Sequence, residues 1–136
     1  MTVIDDLFAA ALAAQIRAHA PYSRFRVGAA IRSSSGTLYS GCNVENAAYP
    51  VGSCAEAGAI SAMVAGGDTA IGEILIVGDG DHLVTPCGAC RQRIREFATP
   101  ATPIHIAGPE GLRQSFTLEA LLPHSFGPDN LTKVTP

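Results

Sequence analysis

Cys54-Ala55-Glu56 and, further along, Pro86-Cys87-Gly88-Ala89-Cys90 bring three thiols and one carboxyl group into two short segments. Thiolates are soft ligands that suit zinc, and a tetrahedral zinc held by three of them is one ligand short. Structural zinc sites normally draw all four ligands from the protein. A site with three protein ligands keeps a water, whose pKa the metal lowers to about 7. A carboxylate beside that water can carry its proton. Cys54, Cys87 and Cys90 are therefore candidate ligands for one Zn2+ per subunit, and Glu56 is the candidate catalytic residue.

This chemistry dictates what must lie beneath it. Cys87 and Cys90 are three apart at the start of an expected helix over residues 88–97, so they share a face and can approach one metal together. Unpaired N–H groups and the positive end of the helix dipole should favour their thiolates, and Cys54 is expected to enjoy the same placement. Cys54 and Glu56 are two apart, which on an ideal helix is about 200° of rotation and puts them on different faces. Their motif must sit at a helix entrance, with Cys54 on non-helical backbone and Glu56 in the first turn. Both segments then fall at junctions leading into helices, where open α/β sheets hold their ligands.

The remaining pattern supplies such a frame. Thr2 with Asp5, then Ile4, Leu7, Phe8, Ala11, Leu12 and Ile16, predicts an amphipathic helix closed by Pro21. Residues 25–32 alternate, with Phe25, Val27, Ala29 and Ile31 apolar; a turn over 33–36 and a strand over 38–43 complete a hairpin. Residues 55–65 read as a buried helix stopped by Gly66-Gly67. Residues 74–77 read as a strand covered on both faces. A short strand over 104–106 and a brief helix over 118–122 follow, and 132–136 form a loose tail. Alternating strands and helices imply layered α/β architecture.

At 136 residues with 47% hydrophobic content, the chain fits a single domain over 1–136. A net charge of −3 offers nothing to a polyanion, and Arg91, Arg93 and Arg95 belong to a helix, so no nucleic-acid partner is expected. The amino terminus lacks a basic n-region and no apolar run could cross a bilayer; no membrane association and a cytoplasmic location are expected. In that reducing compartment the four cysteines bind metal or stay free rather than pair.

Several longer motifs carry a resemblance. Pro21-Tyr22-Ser23-Arg24-Phe25-Arg26-Val27-Gly28-Ala29-Ala30, Gly41-Cys42-Asn43-Val44-Glu45-Asn46-Ala47-Ala48-Tyr49-Pro50, Cys54-Ala55-Glu56 and Pro86-Cys87-Gly88-Ala89-Cys90-Arg91-Gln92 occur in that order. Together they make the chain resemble, almost end to end, the small zinc-dependent cytidine deaminases. The resemblance implies hydrolysis of cytidine and deoxycytidine to uridine and deoxyuridine with loss of ammonia, in pyrimidine salvage. It implies a three-layer α/β/α fold with a five-stranded mixed sheet, and a homotetramer whose active sites are shared between subunits. By position, Phe25 would stack near the cytosine ring and Asn43 and Glu45 would bind the ribose. Ala55 and Tyr49 would also contact substrate, and Phe126 would reach a partner's site. Asn43 and Glu45 meet one independent expectation, since positions two apart on an extended chain share a face. One departure stands out: many three-cysteine members have arginine directly after the glutamate, bonded to ligand thiolates, where this chain has Ala57. Three thiolates on Zn2+ leave a negative shell, and helix amides with Arg91 are expected to offset it.

Other readings remain open on sequence grounds. Cys42 could complete a structural four-thiolate site, although as a small strand residue it also suits the core. Phe25 could be packing, Asn43 and Glu45 could serve a turn and a strand end, and Phe126 could anchor the tail on its own subunit. The four histidines fit no metal-ligand pairing. As alternatives to cytidine, another aminopyrimidine nucleoside such as blasticidin S shares the chemistry, and a non-catalytic structural-zinc interaction module shares the cysteines. Polynucleotide editing needs backbone contacts that an acidic chain does not offer.

Overall fold

Helix α1 (Val3–Ile16) turns Leu7 and Ala11, both fully buried, onto a sheet. The computed structural model describes residues 3–132 of the chain, so the expected Thr2 cap and most of the expected tail lie outside the described residues. The helix ends before Pro21: the N–H groups of Arg17 and Ala18 bond Ala14 and Gln15, and His19 then bridges to Val44.

Strand β1 (Val27–Ser33) and strand β2 (Leu38–Cys42) form the expected antiparallel hairpin, with Gly28 opposite Cys42 and Arg32 opposite Leu38. The alternation expected of β1 conceals burial on both faces. Ala29 and Ile31 face one side of the sheet, while Gly28 and Ala30 lie beneath α1. A Cβ on Gly28 would stand 2.0 Å from the Ala11 carbonyl oxygen, so that strand must be small where the helix crosses it. Phe25 precedes the strand instead of opening it.

Helix α2 (Ala55–Ala65) and helix α3 (Gly88–Phe97) have the bounds the sequence predicts. Between them runs strand β3 (Ile71–Gly78), antiparallel to β1 and parallel to β4 (Pro103–Gly108). Strand β5 (Gly111–Thr117) pairs antiparallel with β4 and completes a mixed sheet in the order β2-β1-β3-β4-β5. No strand was expected there from the residues, because this edge is largely solvated and only its Phe116 packs on the core. Two short helices follow, α4 (Leu118–Leu121) and α5 (Pro128–Thr132).

The layers are α/β/α. Leu75 and Val77 of β3 meet α1 on one face, whereas Ile74 and Ile76 meet Met63 of α2 and Ile94 of α3 on the other. Because α3 crosses from β3 to the parallel β4, its N-terminus follows the carboxyl end of β3, the usual ligand position of such sheets. Helix α2 lies directly on β2: a Cβ on Gly41 would stand 2.3 Å from the Ala59 nitrogen. Among the described residues no helix is long and apolar enough to cross a membrane.

Candidate active site

Cys54 and Cys87 occupy equivalent places, as the residues just before α2 and α3. Both have extended backbone, φ −82° and ψ 159° for Cys54 and φ −67° and ψ 172° for Cys87, so each sulfur leaves from outside its helix. Cys90 projects from the first turn of α3 and is fully buried. The three sulfurs lie within 4.8 Å of one another. Tetrahedral zinc with Zn–S bonds of about 2.3 Å needs sulfurs about 3.8 Å apart, so small side-chain rotations suffice and the donor set suits zinc. Cys42 is outside this cluster, which removes the fourth thiolate of a structural site.

Glu56, in the first turn of α2, is 5% exposed. Burial pushes its carboxyl above the usual carboxylate range. The thiols diverge. Burial raises Cys54 and Cys90, whereas the N–H groups of Cys90 and Ala89 hold Cys87 below its ordinary value. Those amides act from the open end of α3 without forming a capping hydrogen bond. Cys54 has the helix-entrance placement expected of it, but burial outweighs what that placement offers its thiol, and it has no side-chain capping bond.

Asn43, Glu45 and Ala55 line a cavity of about 300 Å³ together with Cys54, Glu56 and Cys87. That volume lies at the small end of small-molecule sites. Asn43 Oδ1 accepts from the Val27 N–H at 2.9 Å, and its Nδ2 donates to the Phe25 carbonyl at 2.8 Å. Glu45 accepts from the N–H groups of Tyr22 and Ser23, at 2.9 and 3.1 Å, and from the Ser23 hydroxyl. Both side chains thus hold the loop over residues 21–26, in which Arg24 has the left-handed φ of 58°. Glu45 also borders a second hollow of about 400 Å³, where Tyr49 meets Tyr22 edge to face at 5.8 Å.

Three of the sequence candidates stand apart from the cavity beside the sulfurs. Tyr49 lines only the second hollow, and Phe25 and Phe126 line neither. Phe126 is 60% exposed, its carbonyl held by Gln92 Nε2 of α3 at 2.9 Å.

Residues 1–106 match the family model of the cytidine and deoxycytidylate deaminase zinc-binding region. The chain belongs to that family. It is 38% identical to a cytidine deaminase of Sporosarcina psychrophila over 129 residues, 95% of each chain. It is 36% identical to one from Halalkalibacterium halodurans, over 89% of this chain and 92% of that one. Among solved structures, the cytidine deaminase of Burkholderia pseudomallei superposes with a TM-score of 0.86 at 38% identity, covering 93% of this chain and 100% of that one. The fold is that of this family's members, and zinc is the cofactor its three-sulfur cluster suits.

For a zinc deaminase family member, the structure corrects one expectation and adds one residue. Arg91 does not face the sulfurs: its Nε donates to the Pro86 carbonyl at 2.7 Å and its Nη1 to the Leu121 carbonyl at 2.8 Å. Arg93 does, with Nη1 3.5 Å from Cys90 Sγ. Positions three apart on a helix share a face, so Cys90 and Arg93 carried this signal in the sequence.

Proposed function

We propose that this chain is a cytidine deaminase, hydrolysing cytidine to uridine and deoxycytidine to deoxyuridine with release of ammonia, in pyrimidine salvage. One observation carries the reading: a buried carboxyl, Glu56, stands two residues beyond a ligand cysteine, beside a cluster that offers three sulfurs and, among the described residues, no fourth.

Cys54, Cys87 and Cys90 would hold the zinc, which when bound would supply Lewis acidity to a water. Glu56 would accept a proton from the attacking water as the water's oxygen bonds to C4 of the pyrimidine, and would deliver it to N3. The proton left on the new C4 hydroxyl would pass through Glu56 to the exocyclic amine, and the C4–N bond would break as the C4 carbonyl forms, releasing ammonia. Burial suits Glu56 to this traffic, because it favours the protonated form that must recur between transfers, while a bound dication acts in the opposite sense.

Asn43 and Glu45 would meet the ribose hydroxyls with the lone pairs and N–H left over from their loop bonds. Ala55, at the first position of α2, offers an N–H without an intrahelical partner. Phe25, Tyr49 and Phe126 are exposed aromatic side chains, and they suit a homotetramer in which neighbouring subunits close each cavity over the base. One domain over 1–136 would carry the activity, and four free cysteines suit a cytoplasmic setting.

The test is a zinc-quantified assay of cytidine, deoxycytidine, cytosine, adenosine and blasticidin S, followed by ultraviolet absorbance and released ammonia. Turnover of both cytidines with little of the others is expected. Preference for blasticidin S, or zinc without any turnover, would overturn the reading.

A further inference from the structure

Three thiolates outweigh the two charges of Zn2+ and leave a site one unit negative. That excess weakens the metal's pull on a water and must be met by nearby donors or cations. Ala57, in the first turn of α2, has neither a side-chain donor nor a charge to give. Arg91 has a guanidinium, but it is committed to the carbonyls of Pro86 and Leu121. Arg93 is the guanidinium in contact with the cluster, its Nη1 3.5 Å from the sulfur of the fully buried Cys90. The guanidinium touches Cys90 from one helix turn away, and its charge is favourable to Cys54 and Cys87 as well, so it is placed to answer the excess.

We propose that Arg93 is a positioning residue that neutralises the surplus thiolate charge and holds the zinc in the three-sulfur site, a task that Ala57 leaves vacant. This rests on the assignment of Cys54, Cys87 and Cys90 as ligands. A guanidinium bonds a thiolate more strongly than it bonds a thiol. Loading turns the Cys90 thiol into a thiolate, so Arg93 favours the loaded state. The competing reading is an exposed helix arginine whose contact with sulfur is worth almost nothing, as most surface charge contacts are.

Arg93→Gln and Arg93→Lys separate the two, since Arg93 is exposed and its replacement leaves the core untouched. Zinc release to a chromogenic chelator at pH 7 is measured on the loaded proteins, with kcat/KM for cytidine against pH as the second readout and circular dichroism as the check on folding. Arg93→Gln is expected to lose zinc about tenfold more readily, the lower end of the cost of removing a partner of a metal ligand. Its acidic limb should move to higher pH, because a more negative site holds the proton of its water more tightly. Arg93→Lys, which keeps the charge, should recover most of both. Overturning results are a Gln substitution that matches the parent in both readouts, or a Lys substitution that recovers nothing. A parent chain that binds no zinc would instead bring down the ligand assignment itself.

Discussion

The sulfur wall of the cavity stands on core elements, whereas the wall that would face the nucleoside hangs on side-chain hydrogen bonds between loops. Cys90 is fully buried in a helix anchored by Ile94, and Cys54 begins a helix seated directly on β2 at Gly41. On the other side Asn43 and Glu45, which line the cavity, tie the loop over 21–26, which carries the left-handed Arg24 and exposes Tyr22 and Phe25. Metal geometry tolerates errors of a few tenths of an ångström, so it belongs on rigid elements. Substrate contacts can be completed later, as the ligand binds. The metal side of the cavity is thus the more firmly built of the two.

Breaking the rigid wall should cost most. Cys90→Ser is expected to abolish stoichiometric zinc and reduce cytidine turnover below detection, as read by metal analysis and ammonia release, because a hard hydroxyl replaces a soft thiolate. Zinc retained at one per chain would mean that Cys90 is not a ligand.

A change in the loop wall should cost less and act differently. Glu45→Gln is expected to leave zinc and circular dichroism unchanged but to raise KM for cytidine roughly tenfold through weaker charge-assisted bonds. Hydrogen bonds from the Ser23 hydroxyl, followed by the N–H groups of Ser23 and Tyr22, hold the Glu45 carboxyl below its ordinary range. A depressed folded pKa means that the tether is complete above the unfolded value and is lost as pH falls through the folded one. KM of the parent should therefore stay flat down to the ordinary carboxylate range and rise below it, and the Gln substitution should lack that acid rise. An unchanged KM would leave Glu45 as a loop tether alone.

The smallest effect is expected of Phe126→Ala. With the side chain exposed on its own subunit, the fold and zinc content should hold while kcat/KM falls about threefold, the loss of a peripheral aromatic contact. A lowered melting temperature with unchanged kinetics would show that Phe126 anchors its own subunit.

The same contrast explains what could be read from the sequence. The helices over 55–65 and 88–97 have the predicted bounds because glycine punctuation marks the end of one and the ligand motif opens the other. Placing Cys54 before a helix and Glu56 inside its first turn followed from rotation per residue alone. Strand β5 was not read from its residues, since a solvated edge strand carries no strong apolar pattern. Loop contacts were hidden for another reason. Asn43 and Glu45 could be placed on one face, but that Val27, Phe25, Tyr22 and Ser23 would occupy their polar atoms depends on tertiary approach. Arg91 and Arg93 differ by two positions on one helix, and only the packed structure shows which guanidinium the main-chain carbonyls of Pro86 and Leu121 take up.

The most direct measurement is zinc content and cytidine turnover of Glu56→Gln, made on the same preparation. One zinc per chain, a parent-like melting temperature and a kcat lowered by about a thousandfold are expected if Glu56 moves the protons and the sulfurs, without Glu56, ligate the metal. Turnover within a few-fold of the parent, or loss of the zinc, would contradict that division of labour.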